Sequence, residues 1–524
     1  MSEKEESDLR KSNMDRAEEL ESVEKGESDS PSSSDNEIDK KLERRVLWKL
    51  DTRILPILAV LFLCSFFDRT NVGNARLYGL EDEIGITDHQ YDTGLAVFYA
   101  TYIFGEIPSN LILKKVTPSV WLPCLAFFWG IIAMSTGFIK TYAHFITVRA
   151  LLGLCEGGLL PGMILYLSGT YRRSELAIRI GIFYTSASLS GAFSGLLARA
   201  ISELGGKGGL SSWRWIFIIF GLFVSQAARW QHVIDIVLRV KRANRTFPTF
   251  QTTTVGFTTF WLLPNGVASA RFFTAEEREH AVQRLRSQHA SSSGREQEET
   301  ERFAWSEVAR GVFNWQTWLS ASAYFGILSG LYSFGLFLPT IIKDLGYTAN
   351  EAQLWSVIPY AVAVVATLCT AYLSDHFRVR GIIMLCTLPI AITGYAVIAN
   401  TPYANVKYGM TFLMATGLYS SVPPVLGWLS NNSAGHYKRA TTSALQLAIA
   451  NAGGFVAVFI YPKAQGPQYH KGHTIVLSLL TGGWFLVLAN VLYCWKVNRD
   501  KANGKWDKYA GYKDDRDPTF KNVL

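Results

Sequence analysis

Charge is what this chain has least of. Asp, Glu, Lys and Arg make up 18% of its 524 residues, against about 25% in ordinary soluble domains. Beyond residue 53 the shortage deepens, and apolar runs near the roughly 20 residues needed to cross a bilayer follow one another. A soluble core rarely needs so many, so a soluble globular fold is excluded. Cysteine patterning is missing too. Cys64, Cys124, Cys155, Cys369, Cys386 and Cys494 lie in or beside apolar runs, with no CxxC pair and no metal-ligand spacing. They read as small apolar packing residues, and neither a metal nor a cofactor is expected. The first 30 residues are polar and acidic, so no cleavable signal peptide is expected. No nucleotide loop or nucleophile–base set occurs, so an enzyme is not expected. The net charge of +8 comes without a basic stripe interleaved with aromatics, which argues against nucleic acid as a partner. Lys and Arg retained in loops and tails account for it.

What is present is a twelve-span pattern: about 54–75, 91–113, 121–139, 142–166, 179–201, an interrupted sixth, 317–338, 352–373, 382–399, 407–427, 440–461 and 474–495. The expected fold is an all-α membrane protein with twelve transmembrane helices in two six-helix halves. The domain plan is a disordered cytoplasmic tail over 1–53, an N-terminal half over 54–263, a central cytoplasmic loop over 264–314 with an amphipathic helix at 274–288, a C-terminal half over 315–495 and a cytoplasmic tail over 496–524. Lys40, Lys41, Arg44, Arg45, Lys49 and Arg53 precede the first span, and Lys496, Arg499, Lys501, Lys505 and Lys508 follow the last. By the positive-inside rule both tails are cytoplasmic, and the plasma membrane is the expected residence.

The sixth span is broken. Residues 215–223 and 252–263 are uncharged and together long enough for one span. Between them, 224–251 carries Arg229, His232, Asp235, Arg239, Lys241, Arg242 and Arg245, each costing roughly 3 kcal/mol at mid-membrane on insertion scales. Val224-Ser225 is encodable as GTA-AGT, Ala243-Asn244 as GCT-AAC and Gln251 as CAG: a donor, a branch point and an acceptor in splice order. The segment reads as a retained intron or, alternatively, as an insertion that displaces the sixth span.

Ionisable residues inside spans are the informative exceptions. Arg149 and Glu156, seven apart, lie on nearly one helix face about 10 Å from each other. A fixed cation and a titratable carboxylate suit an anion/proton symporter, with the guanidinium gripping a substrate carboxylate bidentately. The other reading is an ion-pair network that locks helices together. The first span ends CSFFDRTNVGNAR and the second contains GEIPSN. Candidate substrate contacts are Arg149, Arg69, Asn71, Tyr332 and Trp355. Candidate proton-coupling residues are Glu156, Asp68 and Glu106. Asp375, Arg378 and Arg380, in YLSDHFRVRG, form a candidate gate. Gly191 and Gly195 make a GxxxG pair, Gly153, Gly157 and Gly162 line the fourth span, and Gly453-Gly454 breaks the eleventh; small residues let helix backbones approach closely.

Six plus six spans around a central loop is the plan of the major facilitators. The strings DRTNVGNARLYGLEDEIGITDHQYDTGLAVFYATYIFGEIPSNLILKK, RALLGLCEGGLLPG, SSWRWIFII and PPVLGWLSNNSAGHYKRA resemble the fungal allantoate permease family, in the anion:cation symporter branch of that superfamily. DRTNVGNA and QYDTGLAVFYATYI are most similar to its high-affinity nicotinic acid permeases. The resemblance implies that Arg149 and Glu156 match the branch's essential fourth-helix arginine and acid, and Arg69 its first-helix arginine. Phe220 stands before the sixth-span glycine, where the family often has an acid.

The expected function is secondary active transport: proton-coupled uptake of a small organic anion such as nicotinate or a related monocarboxylate, by a monomer in the bilayer. Export of a secondary metabolite, or nutrient sensing without transport, are the alternatives. Expression with and without 224–251 tests the reading of that segment. The full-length form is expected to be retained internally and inactive, and the shortened form to reach the cell surface. Equal surface level and uptake would make the segment a real part of the protein.

Overall fold

The computed structural model describes residues 33–229, 264, 266–270, 272–291, 305–512 and 514–524. Every regular element among them is helical, as a bilayer interior requires of segments that must satisfy their own backbone polar groups. By length and composition, nine helices among the described residues are long and apolar enough to cross a membrane.

The first half begins with α1 (Ser33–Arg53), α2 (Leu55–Leu77), the short α3 (Leu80–Ile84), α4 (Asp88–Lys115) and α5 (Pro118–Thr136). The fourth span is split into α6 (Tyr142–Glu156) and α7 (Leu159–Ser168), and α8 (Arg173–Ser202) and α9 (Ser212–Arg229) complete the half. The connecting region contributes α10 (Ala275–Ser291) and α11 (Trp305–Val312). The second half holds α12 (Trp315–Asp344), α13 (Ala349–Phe377), α14 (Gly381–Asn400), α15 (Ala404–Asn431), the split eleventh span α16 (His436–Asn451) and α17 (Gly453–Phe459), and α18 (His470–Ala502). Spans two and eight open on capping boxes, Thr87 with Gln90 and Thr348 with Glu351, which satisfy backbone donors that a helix start leaves free.

Two expectations change. Part of the tail expected to be disordered over 1–53 is the helix α1. Val46 and Leu50, four apart, are buried on one face, and Lys49 pairs with Glu277 of α10 at 2.6 Å. The sixth span is not confined to 215–223 on its first side: α9 runs through to Arg229, with Val224 buried. The rest of the 224–251 segment, and the 252–263 stretch assigned to the same span, lie outside the described residues.

The halves meet along glycine-lined seams. A β-carbon on Gly73 of α2 would sit 2.5 Å from the Leu336 carbonyl oxygen of α12, and one on Gly195 of α8 would sit 2.7 Å from that of Gln353 on α13. One on Gly191 would enter the Tyr360 ring, and one on Gly454 the Tyr99 ring of α4. The end opposite the tails is closed by polar contacts between halves. Tyr78 donates to Asn350 at 3.1 Å and Gln353 to Asn74 at 3.1 Å. Lys463 donates its backbone N–H to Asp88 at 3.2 Å and pairs through its ammonium with Glu81.

At the tail end, 514–524 folds back on the second half. The Lys501 ammonium donates to the carbonyls of Asp515 at 2.7 Å, Asp517 at 3.0 Å and Phe520 at 2.8 Å. Val523 exchanges two hydrogen bonds with the Asn432 side chain and accepts a third from the Trp428 indole. Lys501→Ala removes three charge-assisted bonds, each worth about 1.5–3 kcal/mol. Chymotryptic cleavage within 503–524 is expected to speed up roughly tenfold or more, a loss of only about 1.4 kcal/mol being enough for that factor. Unchanged digestion would show that Lys501 does not hold the segment.

Candidate functional site

Ser65, Asp68 and Arg69 share one face of α2, being three and four residues apart, and that face looks at the fourth span. Glu156 is the last residue of α6, where the chain breaks at Gly157-Gly158. Those glycines are there because α4 comes too close for a side chain: a β-carbon would meet the Tyr102 carbonyl at Gly157 and the Ser109 hydroxyl at Gly158. The negative end of α6 gives a carboxylate no help. Arg69 supplies it instead, with Nη1 2.9 Å from Glu156 Oε1. Ser65 bridges the two, donating its hydroxyl to Glu156 and accepting from Arg69 Nη1 at 3.0 Å. Behind this pair stands a second, Arg149 Nη1 at 3.7 Å from Asp68 Oδ2. Asp68 and Glu156 are 0% exposed, Arg149 2% and Arg69 8%. In such a setting, removing one partner of a pair costs about 3–5 kcal/mol.

Arg69 is also ringed by aromatics. Its guanidinium lies 5.0 Å from the ring centre of Phe66, 5.2 Å from Tyr102, 5.6 Å from Phe98 and 5.8 Å from Tyr332, within cation–π range. A small cavity between the halves opens onto it, lined by Arg69, Tyr102 and Tyr184 from the first half and by Tyr324, Tyr332 and Asn451 from the second. Polar atoms without hydrogen-bond partners gather around the site: both Asp68 oxygens, Arg69 Nε, Arg149 Nε and Nη2, Glu156 Oε2, Glu106 Oε2 and Asn71 Nδ2. Buried polar groups are normally satisfied, and this concentration makes the neighbourhood the candidate site.

The structure thus brings Asp68, Arg69, Glu106, Arg149, Glu156 and Tyr332 into one neighbourhood. The spacing argument put Arg149 and Glu156 on nearly one helix face about 10 Å apart, and the structure gives each a partner on α2. Glu156 turns to Arg69 across to α2, and Arg149 turns to Asp68, away from the cavity lining. Asn71 is buried beside the site without lining the cavity. Trp355, expected among the substrate contacts, is a correction. It lies in the second turn of α13 near the end opposite the tails, 39% exposed and packed on Tyr347 and Tyr408. Of the gate candidates, Asp375 and Arg380 pair at 3.0 Å within the second half, while Arg378 is exposed and ends α13 in the left-handed region at φ 53. Phe220 packs against Phe67 and Trp129, making an apolar wall where the related family often has an acid. The sequence reading missed Ser65, Asn451, Tyr102 and Tyr184. Ser65 had a signal, being one turn before Arg69; the other three became visible only when the halves were assembled.

A model of the Major Facilitator Superfamily matches residues 58–458. Among curated proteins, an uncharacterized transporter of Schizosaccharomyces pombe is 32% identical over 94% of this chain and 93% of its own. The high-affinity nicotinic acid transporter of Saccharomyces cerevisiae is 30% identical over 92% of this chain and 85% of its own. Among solved structures, a bacterial homologue of the human lysosomal transporter Spinster, in an inward-facing and unoccupied conformation, superposes with a TM-score of 0.53 at 15% identity, covering 84% of this chain and 94% of that one. That last likeness is one of fold.

The Ser65 bridge is testable without any substrate. Ser65→Ala deletes a donor to Glu156 and an acceptor for Arg69 together, and each buried hydrogen bond to a charged group is worth about 1.5–3 kcal/mol. The purified variant is expected to fold but to unfold at a clearly lower temperature in the same detergent. A midpoint equal to that of the unmodified chain would mean that the bridge carries no weight.

Proposed function

The chain belongs to the major facilitator superfamily, and from that premise we propose that it is a proton-coupled carrier of a small organic anion, nicotinate or a related monocarboxylate. It is a multi-pass membrane transporter, not an enzyme. The observation that carries the finer reading is Arg69: a buried cation on the cavity between the halves, whose carboxylate partner is Glu156. A substrate carboxylate entering the cavity competes with Glu156 for the same guanidinium, which offers a planar fork suited to bidentate binding. Once displaced, Glu156 is an unpaired carboxylate in a dry interior, which is costly. Taking up a proton removes that cost, so anion and proton enter together. When the anion leaves, Glu156 gives up the proton and returns to Arg69. The Arg149–Asp68 pair stays behind, tying α2 to the fourth span. The tyrosines around the cavity suit a flat ring behind the carboxylate, and the name of the Saccharomyces relative points to the same class. The basic residues flanking the first and last spans support cytoplasmic tails; residence in the plasma membrane and a monomeric carrier complete the reading.

Glu156→Gln separates coupling from binding, because it keeps size and hydrogen bonding while removing the titrating group. Accumulation of labelled nicotinate against its gradient is expected to vanish, and its pH dependence over about pH 4–7, a range bracketing a buried carboxylate, to flatten. Exchange of internal for external label persists, since exchange need not cycle the proton. A well-expressed variant with full accumulation and an unchanged pH profile would sink the proton-carrier role.

A further inference from the structure

At the tail end the main chain of 522–524 is held as a bound peptide is held. Asn498 of α18 donates its side-chain N–H to the Asn522 carbonyl and accepts the Asn522 N–H, both at 2.8 Å. Asn432, which caps α15, treats the next residue the same way. Its Oδ1 accepts the Val523 N–H at 2.8 Å, and its Nδ2 donates to the Val523 carbonyl at 3.0 Å. The Trp428 indole adds a second donor to that carbonyl at 2.8 Å. The Leu524 carbonyl then takes the N–H groups of Arg380 at 2.6 Å and Gly381 at 3.2 Å, where α14 begins and has donors with no partner inside the helix. A side-chain amide carries an acceptor beside its donors, so each Asn answers the N–H and C=O of one residue as a neighbouring strand would.

We propose that the ends of α14, α15 and α18 form a peptide-binding groove that reads main chain, and that 522–524 is the ligand it holds in cis. Every one of the bonds above ends on a main-chain atom of the ligand, and residues 520–524 have no helix or turn of their own. Main-chain bonds supply affinity in this kind of recognition, and seats for side chains add selectivity. Here Val523 and Leu524 are half-buried and pack on the hydrophobic core. The segment before the ligand is anchored by different chemistry. Lys438 and Arg310 hold the Asp515 carboxylate at 2.5 Å and 2.9 Å, and Lys501 collects carbonyls up to Phe520. The last three residues can therefore leave the groove while 514–520 stays attached, and the tether keeps their effective concentration high.

The place of the groove gives its occupancy a consequence. The Arg380 side chain pairs with Asp375 at 3.0 Å, and a β-carbon on Gly427 of α15 would collide with its guanidinium. A β-carbon on Gly381 would lie 2.6 Å from the Trp428 ring. The residues that make this contact are the ones that give their N–H groups to 523 and 524. The ligand thus clips the first turn of α14 to the last turn of α15. An empty groove strips the Asn432 amide, 2% exposed, of its partners and lets the start of α14 fray. A second peptide that displaces 522–524 takes over the same clip.

The inference is independent of what the carrier transports, and its test needs no substrate. Val523→Pro in the full chain removes the N–H that Asn432 accepts and restricts residue 522, while every residue of the groove stays in place. The probe is a fluorescein-labelled synthetic peptide of residues 514–524, added to the purified chain and followed by anisotropy. Val523→Pro is expected to capture it roughly tenfold or more tightly than the wild type, whose own tail competes, a factor that the loss of one or two hydrogen bonds brings. Amide exchange over 380–384 is expected to speed up in Val523→Pro and to slow again at saturating peptide. A peptide carrying Asn522→Ala is expected to bind as the native one does, and one carrying Val523→Pro is expected not to compete. Asn498→Ala, at a partly exposed position, is expected to weaken capture by the Val523→Pro chain and tests the groove from its own side. Equal capture by the wild type and Val523→Pro, no capture by either, or unchanged exchange over 380–384 would overturn the proposal. Capture that depends on the Asn522 side chain would overturn the reading of main chain.

Discussion

One buried guanidinium held by a single carboxylate is the constraint around which the rest is arranged. Arg69 is held by Glu156 and Ser65 and surrounded by four aromatic rings. In water such a cation would need nothing. Between apolar helices it must have a counter-charge, because an uncompensated buried ion costs several kcal/mol. The arginine is thus the anchor of the fold's centre and, on the carrier reading proposed above, the group for which a substrate carboxylate and Glu156 would compete.

That geometry depends on two broken helices. The fourth span stops at Glu156, just before Gly157-Gly158, and the eleventh at Asn451, with Ala452 between it and Gly453-Gly454; both glycine pairs press against α4 or its neighbours. A continuous helix would bury its terminal carbonyls in its own hydrogen bonds. A break at mid-membrane is tolerated only where protein or a polar cavity surrounds it. Both halves contribute one such break, and each break follows a buried polar residue, Glu156 and Asn451. The glycines therefore serve the site twice, by ending the helix at the needed residue and by letting the backbones close over it.

Much of this was legible from residues alone, and the failures have a common cause. Span number and order followed from apolar run length, since about 20 residues per crossing is a hard physical requirement. The ionisable residues stood out because charge is so scarce elsewhere. What could not be read was who pairs with whom. Seven-residue spacing correctly put Arg149 and Glu156 on one side of a helix, yet each chose a partner on α2, because neighbours along a helix face are fixed by the period while neighbours across a bundle are fixed by packing. Trp355 failed for a related reason: an aromatic in a span is placed by its depth, and two turns into α13 is still close to the surface. Asn451 carried no signal as a lone amide two residues before a glycine pair. The helix α1 was hidden by its charge, its few apolar residues being enough only because α10 and the first span are there to receive them.

The two ends of the molecule differ in a way that bears on motion. Opposite the tails, the contacts that join the halves include the exposed Tyr78 with Asn350 and Lys463 with Glu81, in which the lysine is 52% exposed and the carboxylate 6%. Exposed pairs are worth about 0–1 kcal/mol each, so the solvent-facing part of this closure can break and reform at little cost. At the tail end the strongest network lies inside one half. Lys501, Lys438 and Arg310 gather Asp514, Asp515 and the carbonyls of 515–520 onto the ends of α11, α16 and α18. Its members are largely buried, so it stiffens the second half as a unit without fastening it to the first. A carrier whose two conformations must lie within a few kcal/mol of each other needs this division: firm within each half, and weak, renewable polar contacts with bare glycine seams between them.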